Sequence, residues 1–102
     1  MTDPRIDWAG QSLEVLQVPV ISTAHLDQET ARRLTEEGNN NLWCTCVEWE
    51  HGFFLYIDDL GDDAPQCLRD IQTWLNECGF TDCWVRLDSD AQYADGLTSY
   101  SW

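Results

Sequence analysis

Two runs dense in aromatic and β-branched side chains, Leu42–Glu50 and Phe53–Asp58, are separated only by His51 and Gly52. A link of that length makes the two runs antiparallel neighbours, so the middle of the chain is a β-hairpin. In its first arm Trp43, Thr45, Val47 and Trp49 alternate with Cys44, Cys46, Glu48 and Glu50. The two sets lie on opposite faces, and one face is wet near the turn.

The hairpin is flanked by further elements. Upstream, Leu13–Ile21 reads as a strand, with Pro19 tolerable only at an edge or where no ladder donor is needed. Asp27 then caps a helix predicted over Gln28–Glu37, with Leu26 and Ala31 at staple positions, Leu34 on the apolar stripe and Gly38 as its end. Downstream, the acidic turn Asp58–Asp63 leads into a second helix. Asp63 is its expected cap, Pro65 lies in its first turn, and Cys67, Leu68, Ile71, Trp74, Leu75 and Cys78 form its apolar stripe. Gly79 stops that helix with Phe80 folding back, and Asp82–Asp88 supplies a last strand. The order strand, helix, strand, strand, helix, strand predicts an α+β, ferredoxin-like β-α-β-β-α-β fold, a four-stranded antiparallel sheet with two helices on one face. Residues 1–12 read as an N-terminal arm carrying Trp8, and residues 13–102 as a single domain with an irregular tail from about residue 89. Trp43, Trp49, Phe54, Tyr56 and Trp84 exceed what one core needs, which places some of them on the open face of the sheet.

Charge limits the partners. Nineteen carboxylates stand against five arginines and no lysine, for a net charge of −14. A domain this size is on the order of 35 Å long. That makes roughly one net charge per 2.5 Å, within a factor of two of duplex DNA. The expected partner is a basic protein surface, while nucleic acids and anionic membranes are repelled. A hydrophobic content of 43% with 12% aromatics argues for a folded chain despite that charge. No apolar run reaches the roughly 18 residues of a membrane span. The start, Met1–Gly10, has no basic stretch followed by an apolar one, and the expected location is the cytoplasm of a bacterial host. Five cysteines, an odd number, are read as reduced core fillers. Cys44 and Cys46 have no second pair at zinc spacing, so neither metal nor cofactor is expected.

An open aromatic sheet suggests RNA-recognition modules, but five arginines cannot assemble a basic groove. The acidic turn has three readings: a solvated loop, a partner contact, or a calcium loop, for which it lacks the alternating acids and terminal Glu of an EF-hand. Ser22, Thr23 and His25 are close in sequence but have no identified oxyanion donors or third triad member, which favours capping and turn roles. An acidic field also raises thiol pKa values, against a cysteine nucleophile. The remaining acids, among them Glu29, Glu36, Glu37, Asp82, Asp88 and Asp90, are spread over helices and strands. Such a field suits a charged-polymer mimic better than a catalytic centre, and no enzyme activity is expected.

The segment Ile21, Ser22, Thr23, Ala24, His25, Leu26, followed by the Glu29–Leu34 helix and the Trp-rich hairpin, resembles a family of small uncharacterised acidic proteins of bacterial plasmids and prophages. The resemblance covers about residues 18–60 and implies the company of anti-CRISPR and antirestriction inhibitors. The expected function is inhibition of a nucleic-acid-binding defence complex by a DNA-mimicking carboxylate surface. Candidate contact residues are Glu48, Trp49, Glu50, Tyr56, Asp58, Asp59, Asp62 and Asp63, the aromatics as anchors. The alternatives are a homodimeric assembly module that closes the open face through Trp43 and Trp84, its acidity serving only solubility, and adaptation to a saline cytoplasm.

Overall fold

Alternation along the central hairpin sets the layers of the molecule. A computed structural model describes residues 16–58, 60–81 and 83–102. The arm over 1–12 with Trp8, the first residues of the expected opening strand, Asp59 and Asp82 lie outside the described residues. The elements run β1 (Val20–Ser22), α1 (Gln28–Glu37), β2 (Thr45–Trp49), β3 (Gly52–Tyr56), α2 (Gln66–Glu77) and β4 (Trp84–Asp88). Short 3-10 turns at Thr23–His25 and Gly38–Asn40 bracket α1.

In the hairpin Trp49 faces Gly52, so the link is Glu50–His51 and Gly52 belongs to β3. At Gly52 (φ 155°) a Cβ atom would lie 1.9 Å from the carbonyl oxygen of Leu87 on β4. Only glycine lets the neighbouring strand approach that closely.

The element order matches the expectation; the sheet does not. The strands are arranged β1-β4-β3-β2, with β1 parallel to β4 and the other pairs antiparallel. The sheet is therefore mixed rather than antiparallel, and β1 lies at an edge instead of in the interior place that a ferredoxin-like order assigns to it. The physical cause is the quality of the two competing strands. β1 is three residues long, follows Pro19, and leaves Val20 46% exposed, whereas β4 is five residues long and buries Val85 and Leu87 completely. An interior strand needs a ladder along both edges and buried apolar side chains; β4 supplies these over five residues, whereas β1 is three residues long and the Pro19 before it offers no donor.

Each helix end has a local cause. The Asp27 Oδ1 accepts the Thr30 backbone N–H at 2.7 Å and starts α1, which Gly38 ends at a φ of 55°. α2 begins differently from expectation. Its N-cap position is Pro65, with no side-chain cap, so Asp63 is not the cap. Its C-terminus closes as expected, with Gly79 at a φ of 83° and the Phe80 N–H returning to the Leu75 carbonyl at 2.8 Å.

Ile21, Cys46, Phe53, Leu55, Val85 and Leu87 share one sheet face and meet Leu26, Ala31 and Leu34 of the α1 side and Cys67, Leu68, Ile71 and Leu75 of α2 in one buried cluster. Burial of this cluster from water is the main favourable term for the fold. The opposite face is read across the register in rows: Val20, Arg86, Phe54 and Val47 in one, Trp84, Tyr56 and Thr45 in the next. After β4 the chain has no regular structure, yet it is held in place. Ser22 N–H donates to the Gln92 carbonyl at 3.1 Å, Tyr100 N–H to the Ala24 carbonyl at 2.7 Å, and Trp102 Nε1 to the Leu26 carbonyl at 2.9 Å.

Candidate protein-binding surface

Every described arginine is already committed within the chain. On α1, spacings of three and four residues put Arg32 against Glu29 and Glu36 (the latter at 2.7 Å) and Arg33 against Glu37 at 2.9 Å. Arg33 also lies 4.9 Å over the Trp43 ring. The Arg32 guanidinium donates to Glu29 and holds its carboxyl below the usual range. Arg69 on α2 donates to the Gly61 carbonyl at 3.3 Å, and Arg86 on β4 pairs with Asp88 at 2.8 Å. Asp88 is lowered first by the Asp90 backbone N–H and then by Arg86.

Carboxylates without a cation partner therefore define the surface. Among the described residues these include Asp58, Asp62, Asp63, Asp70, Glu77, Asp90 and Asp95, none of which makes an ion pair. Glu48 and Glu50 join them at the hairpin tip, where Glu50 lies 3.9 Å from the His51 ring nitrogen. Pairing divides the acids that the sequence spreads over helices and strands: those of α1 are compensated and those of the α2 side are not. An open groove of about 500 Å³ between α2 and the tail collects Asp70, Glu77 and Asp95 around Trp74 and Leu97.

The candidate contact residues fall into two patches. Glu48, Trp49 and Glu50 are at the tip of the hairpin, whereas Tyr56, Asp58, Asp62 and Asp63 follow from its other end. The length of β3 separates the patches by roughly 13–17 Å at about 3.3 Å per residue. Glu48 lies on the helix side of the sheet and Trp49 on the other, so alternation divides even that pair. Asp58 and the turn after it are tied to α2 through the Asp58 carbonyl, which accepts from Gln72.

The expected aromatic anchors are partly occupied by the chain's own groups. The Arg86 guanidinium lies 4.8 Å over the Trp49 ring, which also meets His51 at 5.0 Å and Phe54 at 5.9 Å. Tyr56 packs edge-on against Trp84 at 5.7 Å. Arg86 and the α2 groove were not singled out from sequence. The acids of α1, by contrast, carried a usable signal, because Glu29, Arg32, Glu36 and the pair Arg33, Glu37 are at helix ion-pair spacing.

The nucleophile candidates have structural employment. The Ser22 Oγ accepts the Ala24 N–H at 3.1 Å and caps the 3-10 turn. Burial pushes the Cys44 thiol up to about 12 and Cys46 to about 11, and burial also raises Cys67. Cys44, Cys46, Cys67 and Cys78 are free thiols. No helix among the described residues is long and apolar enough to cross a membrane.

Residues 18–102 match the model of a family described as a family of unknown function (DUF5983), C-terminal domain. No curated protein and no solved structure matches the chain.

Proposed function

The chain belongs to that DUF5983 family, and from this footing we propose that it is a non-enzymatic binding protein for the basic, nucleic-acid-contacting surface of a defence complex, where its carboxylates stand in for phosphates. The observation that carries the reading is the uneven pairing of charge. Arginines quench the acids of α1 and the end of β4, while those of the acidic turn stay uncompensated, as do Asp70 and Glu77 of α2 and Asp95 of the tail around a groove walled by Trp74. A Lys or Arg side chain entering that groove would meet Asp70, Glu77 and Asp95 and could lie against an aromatic ring, a combination that favours cations. Spacing supports the same reading. Over a longest dimension of 46 Å the fourteen carboxylates and four arginines of the described residues leave roughly one net charge per 4.6 Å, within a factor of about 1.4 of the roughly 3.4 Å between phosphates of one B-DNA strand.

The immobilised domain, offered a bacterial lysate at low salt, is expected to retain nucleic-acid-binding proteins. Their affinity should fall at least about tenfold between roughly 50 and 200 mM salt, and duplex DNA should compete, because several charge contacts are lost together. Retention that is indifferent to salt and to DNA sinks the proposal.

The half-buried Trp84, Tyr56 and Phe54, with the exposed Val47 beside them on the face away from the helices, favour a second reading, a homodimer closed through this face. Sedimentation equilibrium decides it. A dimer that persists at low salt, where charge repulsion is strongest, supports the module, and a monomer throughout removes it.

A further inference from the structure

We infer that His25 is a proton-sensitive latch that holds the C-terminal tail, residues 89–102, against the body of the domain and lets it go in mild acid. The ring is buried, with 1% of its surface exposed. Its Nε2 accepts the Ala94 backbone N–H at 2.8 Å, and its Nδ1 donates to the Thr98 carbonyl at 2.9 Å. An amide N–H can only donate and a carbonyl can only accept, so these two partners dictate the neutral tautomer with hydrogen on Nδ1.

Protonation reverses one of the two bonds. A hydrogen on Nε2 would point at the Ala94 N–H, leaving a buried charge and two donors face to face, both unsatisfied. The tail must move for water to reach Nε2. That movement would put strain on the neighbouring tail anchors, the bonds from Ser22 to Gln92, from Tyr100 to Ala24 and from Trp102 to Leu26. Released, the tail bares the outer edge of β1, where the Ser22 N–H becomes a free strand donor.

The titratable groups beside the ring and its partners are Asp27 two residues along the chain, Asp95 next to Ala94, Tyr93, and Tyr100, whose N–H bonds the Ala24 carbonyl. Tyr93 meets the imidazole edge-on at 5.6 Å. None of the described groups forms an ion pair with His25. The sign follows from the bonds: docking is complete while His25 is neutral and is lost as pH falls through its titration. Asp88 and Glu29, held below the usual carboxylate range, stay ionised through that window and do not imitate the effect.

The test uses the whole chain and NMR between about pH 8 and pH 5.5, the range where histidine titrates before most carboxylates. The imidazole ¹⁵N shifts should report hydrogen on Nδ1 at the upper end. As His25 protonates, exchange protection of the Ala94 and Tyr100 amides should drop at least about tenfold, the worth of a lost hydrogen bond, while Leu55 and Val85 remain protected. In His25→Gln, which donates and accepts but does not titrate, tail protection should be flat with pH. An Nε2–H tautomer, a tail indifferent to His25 titration, or a His25 that stays neutral until the core itself opens overturns the latch. So does a His25→Gln tail that loosens in step with the wild type. Should His25→Gln not fold, the coincidence of His25 titration with tail release in the wild type decides alone.

Discussion

The two helices do the same mechanical work and opposite electrostatic work. α1 has ten residues and α2 twelve, and each sends fully buried leucines, Leu34 and Leu68, into the same core. Along α1 the acids alternate with Arg32 and Arg33 at bonding distance, so that helix quiets its own field. Along α2 the single cation, Arg69, is turned to a backbone carbonyl, and Asp70 and Glu77 are left to face the tail across a groove. Net charge is a property of the whole chain, but steering depends on where charge remains unpaired.

The hardest way to break the comparison is through packing. Leu34→Ala and Leu68→Ala should each cost about 2–5 kcal/mol, since both sites are completely buried and leave a cavity. Urea unfolding measures both. If the two losses differ by more than about 3 kcal/mol, the full width of ordinary site-to-site variation, the helices are not mechanically equivalent and their charge difference cannot be considered alone.

Charge neutralisation is the next largest effect, and it should separate the helices. Asp70→Asn with Glu77→Gln is expected to weaken binding of an arginine-rich peptide about 5- to 50-fold at low salt, in the range of one to two kcal/mol for two partly desolvated contacts. Glu29→Gln with Glu36→Gln should change it less than about threefold, because those acids are already engaged by Arg32 and are exposed to screening. Titration calorimetry of the two double variants gives the answer. Equal losses would mean that the total charge acts and that its placement does not.

How much of this was legible in sequence depends on how far apart the cooperating residues lie. The ends of α1 were readable because Asp27, Thr30 and Gly38 act within a few residues of the helix they bound. The hairpin was readable for the same reason, with its link misplaced by one residue. Strand order was not, because it is decided by a contest between β1 and β4, more than sixty residues apart, for the place beside β3. Asp63 looked like a cap because its residue type favours one, yet the chain starts α2 after Pro65. In the candidate surface, Trp49 and Tyr56, two of the aromatics in excess of one core, share the face away from the helices. Alternation could not show that Arg86 from another strand already covers Trp49. His25 is the extreme case, with partners 69 and 73 residues away. The six-residue stretch around it, Ile21–Leu26, is explained by core packing at both ends, a cap at Ser22 and the tail contacts of His25.

The smallest effect belongs to the compensated helix itself. Glu29 is lowered first by the bond from Arg32 and then by the charges of Arg32 and Arg33. A carboxyl whose folded pKa is depressed contributes stability that is present above its unfolded value and is lost as pH falls through the folded one. Arg32→Gln should therefore move the Glu29 titration midpoint upward toward an ordinary glutamate, as followed by side-chain ¹³C shifts, with a barely detectable change in overall stability because the pair is exposed. A midpoint that does not move would mean the helix N-terminus, rather than Arg32, holds Glu29 ionised. In that event α1 would not be quieting its own acids, and the contrast with α2 would lose its physical basis.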